Sequence, residues 1–183
     1  MTVRAKAFKQ GWISSDVTEK AFYKAGYKID SIKLMQPSPD GPYKSIKASV
    51  LADAQKGDFN YGNGKWIGFR GIPLQAILYF NDPPIITTVT LSTLVNIGGY
   101  IMPPQQVELW AGNDPGHLRL IKKIIPEQPV KETPAYMKGY DLSFKPIKEK
   151  YLKMVIVPVP KLPLWHKGKG DKGWIFVDEI FLN

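Results

Sequence analysis

Apolar and polar residues alternate along most of this chain, in short runs separated by turn residues. Strict alternation is typical of β-strands with one buried face. A run rich in β-branched residues, Ile85 to Thr93, predicts a strand on composition as well. A short helical turn is predicted only near Leu74 to Ile77. The predicted strands are Val3–Phe8, Val17–Tyr23, Ile29–Leu34, Trp66–Phe69, Ala76–Phe80, Ile85–Thr93, Gln106–Ala111, Leu118–Ile125, Tyr140–Phe144, Tyr151–Val159 and Trp174–Leu182.

The spacing of these strands predicts the fold class. Glycine and proline, 16 of each, recur between the runs and disfavour long helices. Many short strands at such intervals are typical of an all-β protein, and we expect an antiparallel β-sandwich of jelly-roll type. Because no window approaches about 18 consecutive apolar residues, we expect no membrane span.

The first part of the chain predicts a separate structural unit. Alternation is already under way at Thr2 to Phe8. Two strands are marginal by themselves, so the first two must pack on other elements. We therefore expect a piece of a longer protein, exported to the periplasm, the cell surface or the medium, with Met1 added to it.

Composition excludes several kinds of chemistry. The chain has no cysteine, which excludes disulfides, thiolate zinc sites and a cysteine nucleophile. Its net charge of +9 suggests either nucleic-acid binding or a solvated basic surface. The basic residues are almost all lysine, with arginine only at positions 4, 70 and 119. Since base readout and phosphate clamps favour arginine, we expect no nucleic-acid partner.

Motifs for catalysis are missing as well. The two histidines, His117 and His166, lie far apart, and neither belongs to an HExxH motif. The glycines at 62 and 64 lack the strand-to-helix context of a nucleotide loop. No serine stands in a nucleophile elbow.

Four separated segments, in order, resemble a known family. They are Leu51–Gly57, Asn60–Gly71, Pro103–Asp114 and Leu164–Ile180. Together they look like a discoidin module, also called coagulation factor 5/8 type C. The closest version is the one at the C-terminus of Bacteroidetes enzymes described as chitobiases or β-hexosaminidases. The resemblance implies a galactose-binding-like jelly roll over residues 29–183. Residues 1–28 resemble the tail of the Ig-like domain that often precedes this module.

Candidate sugar-binding residues follow from loop position. Sugars stack an apolar face on an aromatic ring while polar groups hold their hydroxyls. Trp165 and His166 lie in a predicted loop, as does Tyr100, and Arg70 and Asn96 can hold hydroxyls. The competing interpretation is core packing, which we expect for the remaining strand tryptophans, Trp66, Trp110 and Trp174.

The resemblance also implies one structural Ca²⁺. Hard cations take several oxygen ligands at once. The implied ligands are Asp53 and Asp58 from one loop and Glu179 from the last strand. Ala54 departs from the glycine usual after the loop aspartate. The alternative is that Asp53 caps a turn and Glu179 is a solvated strand residue.

Asp178 and Glu179 also match the adjacent carboxylates of hexosaminidases that use substrate assistance. Neighbouring strand residues point to opposite faces, so we expect the two not to share a catalytic site. The sequence therefore predicts a non-catalytic module, from a chitobiase-like glycoside hydrolase, that binds a glycan containing galactose or amino sugars. Two alternatives stay open: a scaffold that only packs on the parent's catalytic domain, and an active cleft without a sequence signature.

Overall fold

A computed structural model of the chain describes residues 2–22, 24, 26–38, 41, 43 and 46–183. The strands are β1 (Thr2–Ala5), β2 (Thr18–Ala21), β3 (Ser31–Leu34), β4 (Ile67–Arg70), β5 (Leu74–Tyr79), β6 (Ile86–Val95), β7 (Gln106–Gly112), β8 (Arg119–Ile124), β9 (Tyr136–Ile147), β10 (Tyr151–Val157) and β11 (Trp174–Leu182). Short 3₁₀ turns occupy Ala48–Ala52 and Ile97–Gly99.

Two antiparallel sheets form the body of the protein. One has the strand order β3-β5-β10-β7-β8 and the other β4-β11-β6-β9. All of their strand pairs are antiparallel. Their facing sides enclose one continuous apolar cluster. The predicted fold class, an all-β antiparallel sandwich, is confirmed.

The core follows from the alternation seen in the sequence. In β5, for example, Leu74, Ala76 and Leu78 are fully buried while their neighbours are half-exposed. Successive strand residues point to opposite faces, so a period of two places every second side chain between the sheets. β11 differs because its residues from Ile175 to Leu182 are buried on both faces.

Two local predictions were wrong. The segment Leu74 to Ile77 is not a helical turn but the start of β5, because its backbone pairs with both β3 and β10. β9 runs from Tyr136 to Ile147, well beyond the predicted Tyr140–Phe144, because it pairs with β6 along nearly its whole length.

The N-terminal residues form a separate two-stranded sheet. β1 pairs with β2 in register from Thr2↔Ala21 to Ala5↔Thr18. Tyr23, the end of the second predicted strand, lies outside the described residues. Phe8, Trp12 and Ile13 are exposed. The division into an Ig-like tail (1–28) and a sandwich module (29–183) stays a prediction.

The helical turns in the described part of the chain are all too short to cross a lipid bilayer.

Candidate functional site

One end of the sandwich gathers the predicted sugar-binding residues. β6 ends at Val95, and Asn96 then caps the 3₁₀ turn Ile97–Gly99 by accepting a hydrogen bond from the Gly99 amide at 3.1 Å. Tyr100 follows in the left-handed region, with φ 66°. Its carbonyl accepts from the Trp174 amide at 2.9 Å, which ties this turn to the first residue of β11.

A loop over residues 158–173 covers the same end. Its backbone closes on itself through bonds such as Leu162 N to Asp171 O at 2.7 Å and Gly170 N to Leu162 O at 3.0 Å. Gly170 has φ 85°, a conformation that favours glycine. These bonds fix the backbone of the loop although it has no regular secondary structure.

His166 holds this loop from within. The residue is 4% exposed, and its Nε2 lies 2.8 Å from the Ile97 carbonyl oxygen. Nδ1 accepts from the Gly168 amide at 2.8 Å, so the proton is on Nε2 and is donated to Ile97. Both ring nitrogens are therefore engaged inside the protein. The predicted contact between His166 and a sugar stays a prediction, and it would require one of these bonds to break.

Trp165 lies on the outside of the loop. It is 39% exposed, and its ring centroid lies 5.8 Å from that of His166. On the other side of His166, the Tyr100 ring is 5.0 Å away in an edge-on arrangement. Gly168 packs so closely on Tyr100 that a Cβ at position 168 would lie 2.2 Å from the Tyr100 ring. The three rings form a connected set in which buried His166 lies between exposed Trp165 and half-buried Tyr100.

Arg70 joins this set through the start of β11. Its Nε donates to the Lys172 carbonyl at 3.2 Å, and its guanidinium lies 5.7 Å from the Trp174 ring centroid. Trp174 is half-buried rather than fully in the core. The structure thus brings Trp165, His166 and Tyr100 together with Arg70 and Asn96 at one end of the sandwich. Trp66, predicted to be core, is fully buried.

A second cluster of polar groups lies at the middle of β11, where Glu179 and the loop residue Asp53 accept hydrogen bonds from the same amide. Glu179 is 1% exposed, and one backbone amide, that of Gln55, donates to both carboxylates at 2.8 Å. Burial and the neighbouring Asp53 raise the pKa of Glu179 to about 8. In the absence of a cation this carboxyl therefore keeps a proton at neutral pH.

Asp58, the third implied calcium ligand, lies apart from that pair. Its Oδ1 accepts from the Asn60 amide at 2.7 Å and from Asn63 Nδ2 at 3.0 Å. Within the described ranges, no three Asp, Glu or His side chains converge as a metal site would require. Of the three implied ligands, the structure thus brings together only Asp53 and Glu179, through the amide of Gln55.

Asp178 corrects one sequence inference. The pairing of β11 with β6 shifts register between Val177 and Glu179, which is a β-bulge at Asp178. Asp178 Oδ2 accepts from the Gly57 amide at 2.9 Å and from Lys56 Nζ at 2.5 Å. Both adjacent carboxylates thus contact the same 53–57 loop, contrary to the expectation that they face opposite sides.

Lys56 is the residue that sequence reasoning missed. It contacts Asp178 and also the Ser92 hydroxyl on β6, so it links the loop to two strands. Its place beside Gly57 in a polar loop gave no indication of a partner 122 residues away.

Comparison with known proteins shows the fold. A scan of family models and a search of curated protein sequences found no match. Solved structures do match. A pectin-binding carbohydrate-binding module is similar with a TM-score of 0.54 and 13% identity, over 85% of this chain and 91% of that one. The C-terminal domain of a chitobiase from Bacteroides fragilis gives 0.50 and 18%, over 85% and 91%.

A third similar structure contains a sugar. It is a CBM32 module of a Clostridium perfringens GH89 protein, in complex with GalNAc-β-1,3-galactose, with a TM-score of 0.50 and 15% identity over 83% of this chain and 93% of that one. In a GH29 fucosidase from Ruminococcus gnavus the similar region is 24% of the enzyme's length. The resemblance to discoidin-like, galactose-binding-like modules is therefore confirmed in the fold.

Proposed function

We propose that this protein is a non-catalytic module that binds carbohydrate through the Trp165 end of the sandwich. The observation that carries the proposal is an exposed indole on a hydrogen-bonded loop, supported from below by buried His166. A rigid aromatic face loses little entropy when a sugar ring stacks on it. Tyr100 and Arg70 supply the polar groups that hold hydroxyls.

The resemblance and one similar structure support a particular ligand class. Galactose and amino sugars are the expected units, and one similar module holds a disaccharide of both kinds. The parent would be a chitobiase-like glycoside hydrolase, which would place the protein outside the cytoplasm. The module would tether that enzyme to its glycan and break no bond itself.

The test is a titration of the full chain with galactose, N-acetylglucosamine and chitobiose, followed by tryptophan fluorescence and by calorimetry. Because few atoms are buried by one sugar, we expect a Kd of about 0.1 to 10 mM. Trp165→Ala should weaken binding at least fivefold. The matched control is Trp12→Ala, since Trp12 is also exposed but lies near the N-terminal sheet. Unchanged affinity in the Trp165 variant would refute this site.

One observation favours a second role, docking to the parent's catalytic domain. A two-stranded sheet is marginal alone, and the segment between β1 and β2 exposes Phe8, Trp12 and Ile13. These side chains would pack on that domain. If so, Trp12→Ala should weaken association with the separately produced catalytic domain and leave sugar binding unchanged.

We also propose that Asp53 and Glu179 hold one structural Ca²⁺. A cation there would replace the proton on buried Glu179 and bind two carboxylates that already share one amide donor. Calcium at 100 times its Kd would stabilise the fold by about 2.7 kcal/mol. The midpoint of thermal unfolding should rise with calcium and fall with chelator, and Glu179→Gln should lose that response. A Glu179→Gln variant that still responds would exclude this site.

A further inference from the structure

A groove lies between the β8–β9 connection and the first half of β9. Its volume is about 370 Å³, within the range of about 300 to 1,000 Å³ common for small-ligand pockets. Its polar and aromatic lining includes Gln128, Lys131, Thr133, Tyr136, Lys138 and Tyr140. None of these residues is among the sugar-binding candidates Trp165, His166, Tyr100, Arg70 and Asn96.

Two tyrosines give the groove an aromatic wall. Tyr136, Lys138 and Tyr140 are alternate residues of β9, so they share one face of the strand. Leu142, the next residue on that face, is fully buried in the core. The groove therefore continues the inner face of the sheet outward, beyond the place where the core ends. Burial raises the pKa of both tyrosines, so each is a neutral phenol at physiological pH.

Two polar residues of the β8–β9 connection, Gln128 and Thr133, also line the groove. The Gln128 amide nitrogen donates to the carbonyls of Pro104 at 3.0 Å and Pro126 at 3.3 Å, which fixes the orientation of the amide. Gln128 Oε1 and Thr133 Oγ1 are buried and have no hydrogen-bond partner among the described residues. These two oxygen atoms are covered by protein, so Gln128 and Thr133 make this part of the lining polar without presenting either oxygen to the groove.

The charged residues around the groove are mainly basic. Lys131 and Lys138 line it, opposed by the single carboxylate of Glu127. Glu132, in the same connection, points to Gly98 instead, since a Cβ on Gly98 would lie 2.8 Å from its Oε1. The lining residues thus carry one net positive charge, on a protein whose total is +9.

We propose that this groove is a second saccharide site and that it takes a sugar unit bearing a negative charge, either a carboxylate or a sulfate. The sugar ring packs on Tyr136 and Tyr140, and its acid group lies between Lys131 and Lys138. The contact of Glu132 with Gly98 places the groove beside the turn that holds Tyr100.

The proposal is tested with the full chain and three probes of equal length: a tetragalacturonate, a sulfated tetrasaccharide and a neutral galactotetraose. Binding is measured by calorimetry and by amide chemical shifts in two-dimensional NMR. We expect at least one acidic probe to bind at least fivefold more tightly than the neutral one and to shift amides between residues 127 and 140. Whichever acidic probe responds identifies the acid group.

Three variants locate the binding. Lys138→Gln should weaken binding of the acidic probe at least fivefold and make its affinity less dependent on salt. Lys145→Gln, at an exposed position of the same strand, should change that affinity by less than twofold. Trp165→Ala should leave the acidic probe bound in the groove, so failure of the Trp165 site is seen separately. The proposal is overturned if acidic and neutral probes bind equally, if neither acidic probe binds, if Lys138→Gln behaves as wild type, or if the shifts follow Trp165.

Discussion

Removal of the Lys56 ammonium should strongly destabilise this protein, because it leaves a charge in the interior. Asp178 is completely buried, whereas the Lys56 side chain is 31% exposed. Lys56 Nζ lies 2.5 Å from Asp178 Oδ2, and the only other described donor to that carboxylate is the Gly57 amide. Asp178 Oδ1 is buried without a partner in the described residues. In Lys56→Met the carboxylate would keep one amide donor and lose its cation.

The expected loss of stability follows from the difference in burial between Asp178 and Lys56. Breaking a buried ion pair by removing one partner costs about 3 to 5 kcal/mol. The partial exposure of Lys56 lowers this figure, and we expect about 3 kcal/mol. For a domain of this size that corresponds to a fall of roughly 6 to 12 °C in the unfolding midpoint. Asp178→Asn should cost less, about 1 to 2 kcal/mol, because the ammonium left behind reaches water.

Urea unfolding followed by tryptophan fluorescence measures these values on the full chain. The double variant Lys56→Met/Asp178→Asn should be no less stable than Lys56→Met alone, which gives a coupling energy of at least 1 kcal/mol. Lys148→Met, at an exposed turn, is the control and should change stability by less than about 0.5 kcal/mol. The reasoning is refuted if Lys56→Met and Lys148→Met have the same stability.

Three further outcomes are expected. Gly168→Ala should displace the Tyr100 ring, weaken sugar binding severalfold and destabilise the fold by about 1 to 3 kcal/mol, as shown by titration and urea unfolding. With chelator present, protonated Glu179 contributes its whole stabilisation below its unfolded pKa of about 4.3. As the pH rises from there toward 8, the free energy of unfolding falls by at most about 1.4 kcal/mol per pH unit. Glu179→Gln should flatten that urea-unfolding profile. Trp12→Ser should change stability by less than about 0.5 kcal/mol, since Trp12 is 70% exposed.

The strands and the core could be predicted where apolar and polar residues alternate strictly. The prediction failed where the local sequence favours a helix or a turn. Leu74 to Ile77 follows Pro73 and contains good helix formers, which favours a helical turn locally. Pairing with strands on both sides overrides that preference. β9 was predicted too short because it contains Gly139 and Pro146. As β9 is an edge strand of its sheet, a proline is tolerated there.

The candidate site could be predicted only as a set of loop residues. Loop position correctly indicated an exposed Trp165, but it could not show that His166 is buried. The partner of His166 Nε2 is the carbonyl of Ile97, 69 residues away, and spacing along the chain carries no information about such a contact. The groove on β9 had no sequence signature either, because its lining comes from a loop and from one face of a strand predicted too short.

The Trp174 end and the Asp178–Glu179 part of β11 lie far apart, so we expect that sugar binding and fold stability can be changed separately. Trp174 begins the strand at the Trp165 end, while Glu179 lies five residues further along, roughly 17 Å away at the rise of an extended strand. Substitutions more than about 7 to 10 Å apart without shared partners are usually additive. Trp165→Ala and Lys56→Met should therefore give independent effects, the first on sugar affinity and the second on unfolding. A coupling between them would mean that the bulge at Asp178 moves with the loop end, which would make the strand itself the link between the two sites.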